Sequence, residues 1–235
     1  FLSSNLRDNN AEYTKLKKYV DNLNKLENML LPSDSDLGKF IGRFFNSLQD
    51  VSSRPDDISS RSIVIENGKA LANSFNNYDM QLKSFQSTAN KETETNLSEL
   101  NETLKQLAQV NKLIMSGGSK NSSPDILDAR DQLLSKLSNL INFSVDYGKS
   151  GEAKITTGSS GNGKLLLEGT NFSILTHTIQ ENKIVFNVNR DAKTSALNSF
   201  SSGILSGIKN FYDFSSDVQS EINDLARRVA RDFNE

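Results

Sequence analysis

The sequence has no cysteine and no tryptophan, a single histidine, and only three prolines among its 235 residues. The absence of cysteine excludes disulfide bonds, thiolate nucleophiles and every cysteine-ligated metal site. With His177 as the sole imidazole, the usual zinc chemistry is also excluded. A cysteine-free chain is compatible with either redox compartment, so this composition alone does not place the protein.

A strong charge excess and a long apolar run are also lacking. Lys+Arg 27 against Asp+Glu 29 gives a formal net charge of -2, so no global field draws the chain to nucleic acid or to an anionic membrane. Apolar runs such as Leu165–Leu167 are far shorter than the roughly 18 to 20 residues needed to cross a bilayer. The local basic cluster at Arg227, Arg228 and Arg231 is interpreted as a solvated helix face. We therefore expect neither nucleic acid nor a membrane as partner.

The first clear pattern in the chain is helical periodicity. Apolar residues three and four apart predict a long amphipathic helix over residues 5–31, which Pro32 ends. Asp34 or Ser35 is expected to cap a second helix, which carries an apolar face rich in phenylalanine. Because that face is so bulky, we expect the second helix to lie at the centre of a core.

A much longer helical pattern follows Pro55. It begins at Ile58, with Asp57 suited to its positive end, and runs for nearly sixty residues. The polar run over 87–95 predicts a bend or break. After that run a strict heptad predicts a coiled-coil-like seam, in which Asn111 is the polar member that sets register; its positions are Leu97, Leu100, Leu104, Leu107, Asn111 and Ile114.

The hydrophobic period changes after a further helix over about 123–141. Short β-branched and apolar runs separated by Gly, Asn and Asp predict an antiparallel sheet between about 143 and 190, and Gly203–Gly207 is a possible strand. The fold class is thus α+β: an elongated bundle of long α-helices with a small antiparallel β subdomain inserted before the last helix. The expected domains are 1–142, helical bundle; 143–207, β-rich insertion; and 208–235, closing helix returning to the bundle.

One stretch raises the question of nucleotide binding. GSSGNGKL, residues 158–165, matches the Walker A pattern G-x-x-x-x-G-K-[ST] except at its last position. A working phosphate loop joins a strand to a helix and ends in a magnesium-binding hydroxyl, whereas Leu165 begins a strand-like run here. A glycine-rich hairpin turn is the favoured interpretation, and an enzyme that binds nucleotide through Gly158–Lys164 is the least favoured alternative.

Other candidates for chemistry have simpler interpretations. His177 lies between apolar neighbours, and no partners for a general base can be nominated, so it is expected to be structural or solvent-facing. Asp34 and Asp36 are spaced as in a calcium loop, but the glycine falls too early and the final glutamate is missing. The acidic pair Glu92 and Glu94 is expected to be solvated. We expect no catalytic, cofactor-binding or metal-binding residues, no cofactor and no enzymatic activity.

Two stretches resemble the flagellar hook-associated protein 1 family. FFNSLQDVSSRPDDISSRSIVIENGKALANSF, residues 44–75, is similar to that family's helix, proline turn and long helix. PDILDARDQLLSKLSNLINFSV, residues 124–145, is similar to its D-x-R-D-x-L helix, which leads into a β region. The resemblance identifies the sequence as an interior part of a longer chain, without the family's terminal regions.

The resemblance implies a non-catalytic structural part of the bacterial flagellum, at the junction between hook and filament. Implied partners are other flagellar axial proteins, namely the hook protein and the third hook-associated protein, together with copies of itself and an export chaperone. The location implied is extracellular, after flagellar type III export without a cleaved signal peptide. Another flagellar axial protein, of the flagellin or third hook-associated class, is the alternative. Because the assembly segments would be missing, the isolated chain is expected to be a monomer.

Overall fold

The computed structural model describes residues 2–31, 36–117, 123–197 and 199–234. Its helices are α1 (Leu2–Leu30), α2 (Leu37–Ser53), α3 (Ile58–Gly117), α4 (Pro124–Leu140) and α5 (Ile204–Asn234). Its strands are β1 (Phe143–Tyr147), β2 (Ala153–Thr157), β3 (Leu165–Glu168), β4 (Asn171–Phe172), β5 (Ile174–Gln180), β6 (Lys183–Arg190) and β7 (Lys193–Leu197). The predicted α+β class, with long helices and antiparallel strands before the last helix, is confirmed.

The strands form two antiparallel sheets in which spatial order follows chain order. One sheet has the order β1-β2-β3-β4 and the other has the order β5-β6-β7. Two-residue turns with positive φ connect β5 to β6, through Glu181 and Asn182, and β6 to β7, through Asp191 and Ala192. Turns of this kind match the right-handed twist of the strands they join, which explains why these hairpins form locally.

Side-chain caps fix the helix starts. Asp36, and neither Asp34 nor Ser35, is the N-cap of α2, because its carboxylate accepts a hydrogen bond from Gly38 N–H. Asp34 and Ser35 themselves lie outside the described residues. At α3, Asp57 accepts hydrogen bonds from the N–H of the second helical residue, 2.9 Å away, and from a serine hydroxyl one residue later, 2.7 Å away. These bonds satisfy donors that a helix start otherwise leaves unpaired.

The sequence predicted a bend or a break within 87–95, and the break is wrong because α3 continues through this run. The polar side chains of this run are satisfied inside the helix: the hydroxyls of Thr93 and Thr95 donate to carbonyls four residues earlier, at 2.9 and 3.0 Å. The run also contains neither glycine nor proline. Polarity without such a residue does not interrupt helical hydrogen bonding.

Two further expectations are corrected. Helix α2 does not lie at the centre of a core, since only Phe44 and Ser47 are buried and Phe45 is 38% exposed. Gly203–Gly207 is not a strand: Gly203 has φ +93 and α5 begins directly after it, at Ile204 rather than at 208. A side chain on Gly207 would meet the carbonyl oxygen of a residue in α1 at 2.6 Å. These glycines therefore permit a turn and a close helix contact, not strand ends.

The chain folds into two compact units, each built from segments that are distant in sequence. The first unit contains residues up to Asn22 together with Thr88–Asp213, and the second contains Leu23–Ser87 together with the chain from Phe214 onward. The core of the first unit combines the heptad leucines of α3 with buried residues of the sheets, such as Ile155 and Phe186. The core of the second unit includes Phe44, Leu71 and Leu82.

Candidate functional site

The polar contacts that attach the strands to the helices are the most specialised feature of the first unit. Asn111 of α3 is fully buried, and its side-chain amide donates to the carbonyl oxygens of Ala153 and Gly169 at 2.7 and 2.8 Å. Its carbonyl oxygen accepts from Ala153 N–H at 2.8 Å. One side chain thus satisfies three backbone groups of the β region. Asn111 therefore binds the β region, whereas the sequence predicted that it sets the register of a helical seam.

Asn101, ten residues earlier on the same helix, makes a similar contact with the edge strand β5. Its amide donates to the carbonyl oxygen of Leu175 at 2.9 Å, and its carbonyl oxygen accepts from Leu175 N–H at 2.8 Å. Because a carboxamide carries a donor and an acceptor side by side, it pairs with a strand residue as a neighbouring strand would. Asn101 therefore covers part of an otherwise open edge.

A third asparagine, Asn142, fixes the connection that leads from β7 to α5. Its side-chain oxygen accepts from the N–H groups of Ser201 and Ser202 at 3.1 and 3.2 Å. Its amide donates to the Ser201 hydroxyl at 2.6 Å, and its own backbone N–H donates to Ser202 O at 3.3 Å. Four hydrogen bonds thus tie the start of the β region to the segment that leaves it.

An ion pair completes this set of anchors. Lys209 of α5 donates to the carboxylate of Asp213 and to the carbonyl oxygen of Ile184, each at 2.6 Å. The same carboxylate accepts from Ile184 N–H at 3.2 Å. Hydrogen bonds to charged groups are stronger than neutral ones, so the pair holds both backbone groups of one β6 residue against α5. We refer to the contacts of Asn101, Asn111, Asn142 and the Lys209–Asp213 pair as the sheet anchors.

The glycine-rich stretch 158–164 is the connection between β2 and β3, as the hairpin interpretation predicts. Thr157 pairs with Lys164: its hydroxyl accepts from Lys164 N–H at 2.8 Å and its N–H donates to Lys164 O at 2.9 Å. The N–H of Gly158 donates to Asn142 O at 3.2 Å. A phosphate loop needs such amides directed at the ligand, whereas the N–H groups of Gly158 and Lys164 are bound to Asn142 and Thr157.

The surroundings of this turn also oppose anion binding. Ser159 donates its hydroxyl to the carboxylate of Asp8 at 3.1 Å, which places a negative charge beside the turn. The segment after Lys164 is strand β3, so no helix N-terminus faces the loop. A side chain at Gly163 would collide with the carbonyl group of Thr157. The glycine at this position is explained by close backbone packing.

His177 lies on β5 and faces α3. Its Nε2 atom is 2.7 Å from the side-chain oxygen of Asn90, whose amide in turn donates to Glu94 at 3.1 Å. Because the Asn90 oxygen can only accept a hydrogen bond, the imidazole proton lies on Nε2. Burial lowers the pKa of His177 below its ordinary value, and the nearby charge of Glu94 opposes that shift. The ring therefore acts as a neutral hydrogen-bond donor between strand and helix.

The acidic candidates are spread over separate contacts. Glu92 pairs with Lys18 at 2.8 Å, whereas Glu94 contacts Asn90. The hydrogen bonds from the Ser60 hydroxyl and the Ser59 N–H lower the pKa of Asp57, as expected for a capping carboxylate. Within the described ranges, no group of three or more acidic or histidine side chains is arranged to hold a metal ion. Over the same ranges, the helices lack a segment apolar and long enough for a bilayer.

Sequence reasoning identified the turn correctly but missed the sheet anchors. The available signal was Asn111, a polar residue within a leucine heptad, because a buried amide must find partners. Its partners, Ala153 and Gly169, are more than forty residues away along the chain. Periodicity within one helix carries no information about such distant backbone groups.

The chain is similar to proteins of one flagellar family. A family model described as the flagellar hook-associated protein FlgK helical domain matches residues 23–235. Flagellar hook-associated protein 1 of Bacillus subtilis is 34% identical over 148 residues, which are 62% of this chain and 29% of that protein. The protein of the same name from Escherichia coli is 30% identical over 173 residues, 72% of this chain and 31% of its own length.

A solved structure supports the same fold. The structure of the flagellar hook junction protein FlgK from Burkholderia pseudomallei superposes with a TM-score of 0.78 at 24% identity. The match covers 88% of this chain and 38% of that one. The chain therefore spans about a third of the length of the proteins that it resembles.

Proposed function

The chain belongs to the flagellar hook-associated protein FlgK helical domain family, and from this membership we propose that it is a structural part of the junction between the hook and the filament of the bacterial flagellum. The observation that carries the proposal is the family match over residues 23–235. The curated relatives that bear the name flagellar hook-associated protein 1 support it. The two blocks at 44–75 and 124–145, which carry the resemblance in the sequence, lie within this match.

The mechanism is mechanical and involves no catalysis. A junction has to pass torque from one tube to the next, and this requires that the elements of each subunit keep their relative positions under load. The sheet anchors suit such a task, because each one holds backbone groups of the strands or of their connections with directional hydrogen bonds. The leucines of α3 add the burial of apolar surface, at roughly 25 cal/mol per Å².

The partners that fit this role are other flagellar axial proteins: the hook protein on one side, the third hook-associated protein on the other, and further copies of this protein. An export chaperone is included among the proposed partners. We place the protein outside the cell after flagellar type III export, without a cleaved signal peptide. The absence of cysteine is compatible with passage of an unfolded chain through a narrow channel.

A helical part (1–142), a β-rich insertion and a closing helix remain the proposed division, with the closing helix starting at Ile204, where α5 begins, rather than at 208. The β insertion adds no catalytic, metal or cofactor site, and the isolated chain is a monomer at micromolar concentration. Calorimetry with ATP and magnesium addresses the phosphate-loop alternative. Saturable binding that is lost in Lys164→Ala would overturn the non-catalytic assignment.

The junction role is tested by deletion of the gene in a flagellated bacterium. Electron microscopy should show hooks that carry no filament, while unpolymerised filament protein appears in the medium, because export continues without an attachment point. Re-expression of the full-length protein should restore attached filaments. Loss of the filament protein itself from the medium would favour the flagellin-class alternative, and filaments attached in normal number would refute the junction role.

A further inference from the structure

The tripeptide Asn-Gly-Lys occurs twice in the chain, in two different structural settings. One copy begins at Asn67 within helix α3, and the other begins at Asn162 in the turn between β2 and β3. An Asn-Gly sequence is chemically labile, because the glycine nitrogen can attack the asparagine side-chain amide and the glycine has no side chain to obstruct the approach. Both copies contain the same reacting groups, so a difference in their reactivity reports on the fold.

In the β2–β3 turn the reacting groups are not engaged elsewhere. The Asn162 side chain is exposed, and among the described residues neither its amide nor Gly163 N–H has a hydrogen-bond partner. Both residues also lie outside the helices and strands. The peptide unit between Asn162 and Gly163 can therefore turn toward the side chain without the loss of a hydrogen bond.

The base of the turn stays closed during such a rotation. Lys164 N–H donates to the Thr157 hydroxyl at 2.8 Å, and Thr157 N–H donates to Lys164 O at 2.9 Å. The freedom lies on the other side of Asn162, where Gly158 and Gly161 have φ +76 and the former has open space around it. The rearrangement that brings the reacting groups together is local and does not separate the strands.

In α3 the same groups are held apart. The N–H of Gly68 takes part in the helical hydrogen-bond ladder, as the middle of a regular α-helix requires. The helical ψ of Asn67 turns the glycine nitrogen away from the asparagine side chain. The side-chain amide of Asn67 also donates to the carbonyl oxygen of Arg43, at 3.4 Å. Reaction at this position requires the helix to open locally, which costs free energy that a surface turn does not require.

We propose that Asn162 is a site of spontaneous deamidation, which the β2–β3 turn permits and which α3 prevents at Asn67. The Gly163 nitrogen bonds to Cγ of Asn162, the Cγ–Nδ2 bond breaks, and ammonia leaves with the proton of the glycine N–H. Because the reacting groups belong to neighbouring residues, this step is intramolecular, and it forms a five-membered succinimide ring. Water then adds to one of the two ring carbonyls and opens the ring to aspartate or isoaspartate, with no other reactant.

The modification changes both the charge and the backbone of the turn. A carboxylate replaces a neutral amide, so the formal net charge of -2 becomes more negative by one unit. The isoaspartate product also has one additional backbone carbon between residues 162 and 163. Because the Thr157–Lys164 hydrogen bonds lie beyond Gly163, at the base of the turn, we expect the β2–β3 pairing to remain.

The test compares the two tripeptides within one molecule. Purified full-length protein is kept folded in mildly alkaline buffer prepared with oxygen-18 water and is then digested in ordinary water. Trypsin cleaves after Lys69 and after Lys164, which separates the two sites into peptides 62–69 and 155–164 for mass spectrometry. Asn162 should convert more than about tenfold faster than Asn67, since a helix opening of 1.4 kcal/mol or more is required only at Asn67. Each converted Asn162 should carry one heavy oxygen from the ring opening.

Unfolding the protein supplies the matched control. In concentrated urea the two rates should approach each other, because each Asn-Gly-Lys is then an unstructured segment. In folded Asn162→Gln the 155–164 peptide should show no conversion, because the longer side chain would have to form a less favourable six-membered ring. The substitution is at an exposed residue, so the circular dichroism spectrum should not change.

Three results would overturn the proposal. They are equal conversion of Asn162 and Asn67 in the folded protein, conversion at Asn162 without heavy oxygen, and an unconverted Asn162 in folded protein over a period in which the urea-unfolded protein converts. The measurement uses purified protein and needs no flagellum, so its outcome is independent of the junction role.

Discussion

Replacement of Asn111 by leucine should strongly destabilise the first unit. The substitution leaves three backbone groups of Ala153 and Gly169 without their partner, in a position that is fully buried. At about 1–3 kcal/mol for each buried group left unpaired, partly offset by the new apolar side chain, the net loss is about 3–6 kcal/mol. That is a large share of the roughly 5–15 kcal/mol that stabilises a typical domain.

The competing interpretation predicts the opposite sign. If Asn111 were only the polar member of a helical seam, leucine would complete the apolar heptad and raise stability, since such a polar residue costs stability for the sake of register. Urea unfolding followed by circular dichroism gives the change in free energy, and an unchanged m-value shows that the same surface unfolds. A more stable Asn111→Leu protein would refute the role assigned here.

Asn96 provides a control on the same helix. Its amide donates at 2.7 Å to the carbonyl of Glu92 within α3, so it attaches no strand. Asn96→Ala should therefore change stability by less than about 1 kcal/mol. Hydrogen exchange adds a local reading, because the Ala153 amide should lose protection in Asn111→Leu and keep it in Asn96→Ala.

Three further predictions concern two matched pairs of substitutions and the titration of one histidine. Thr156 and Thr157 are both buried, but the Thr156 hydroxyl has no hydrogen-bond partner among the described residues, whereas that of Thr157 accepts from Lys164 N–H. In urea unfolding, Thr156→Val should therefore be neutral or stabilising by up to about 1 kcal/mol, and Thr157→Val should cost about 1 kcal/mol or more. Equal losses of stability would contradict this difference. Gly42 has open space around it, so Gly42→Ala should stabilise the protein by about 0.5–1 kcal/mol and raise its thermal midpoint. Gly207→Ala should lower the midpoint, because the new methyl group meets the α1 backbone. A rise in both variants would refute this close contact. Burial lowers the pKa of His177 in the folded protein, so its NMR titration midpoint should lie below 6.5. The free energy of unfolding should then fall as pH decreases from 6.5 through that midpoint, and His177→Gln should remove this dependence. A midpoint above 6.5 would contradict the prediction.

Local signals in the sequence predicted the elements well. Ser123 and Pro124 mark the start of α4, where the serine hydroxyl accepts from the backbone at 3.3 Å. Pro55 likewise separates α2 from α3, because the non-helical backbone it imposes on Arg54 is incompatible with a continuing helix. The change to short β-branched runs predicted the β region, which the structure places between Phe143 and Leu197. These features depend on neighbours within a few residues.

Features that depend on distant partners were not predictable. The apolar residues Leu16 and Val20 suggest an inward face for α1, yet the structure buries Ala11 and leaves both of them about half exposed. The sheet anchors join residues far apart in the chain, and an asparagine in a helical pattern does not reveal which backbone it will bind. An amphipathic pattern shows that a face needs a partner, but it does not identify the partner.

The location of the protein on the flagellum tests the central claim most directly. Lys164→Cys in the full-length protein, at an exposed position of the β2–β3 turn, provides a thiol for a fluorescent label on living cells, and the unsubstituted full-length protein treated with the same label gives the background. Filaments labelled in a second colour mark their own base. A junction protein should give a single spot where each filament meets its hook, whereas label distributed along the filament, or no label at its base, would contradict the account.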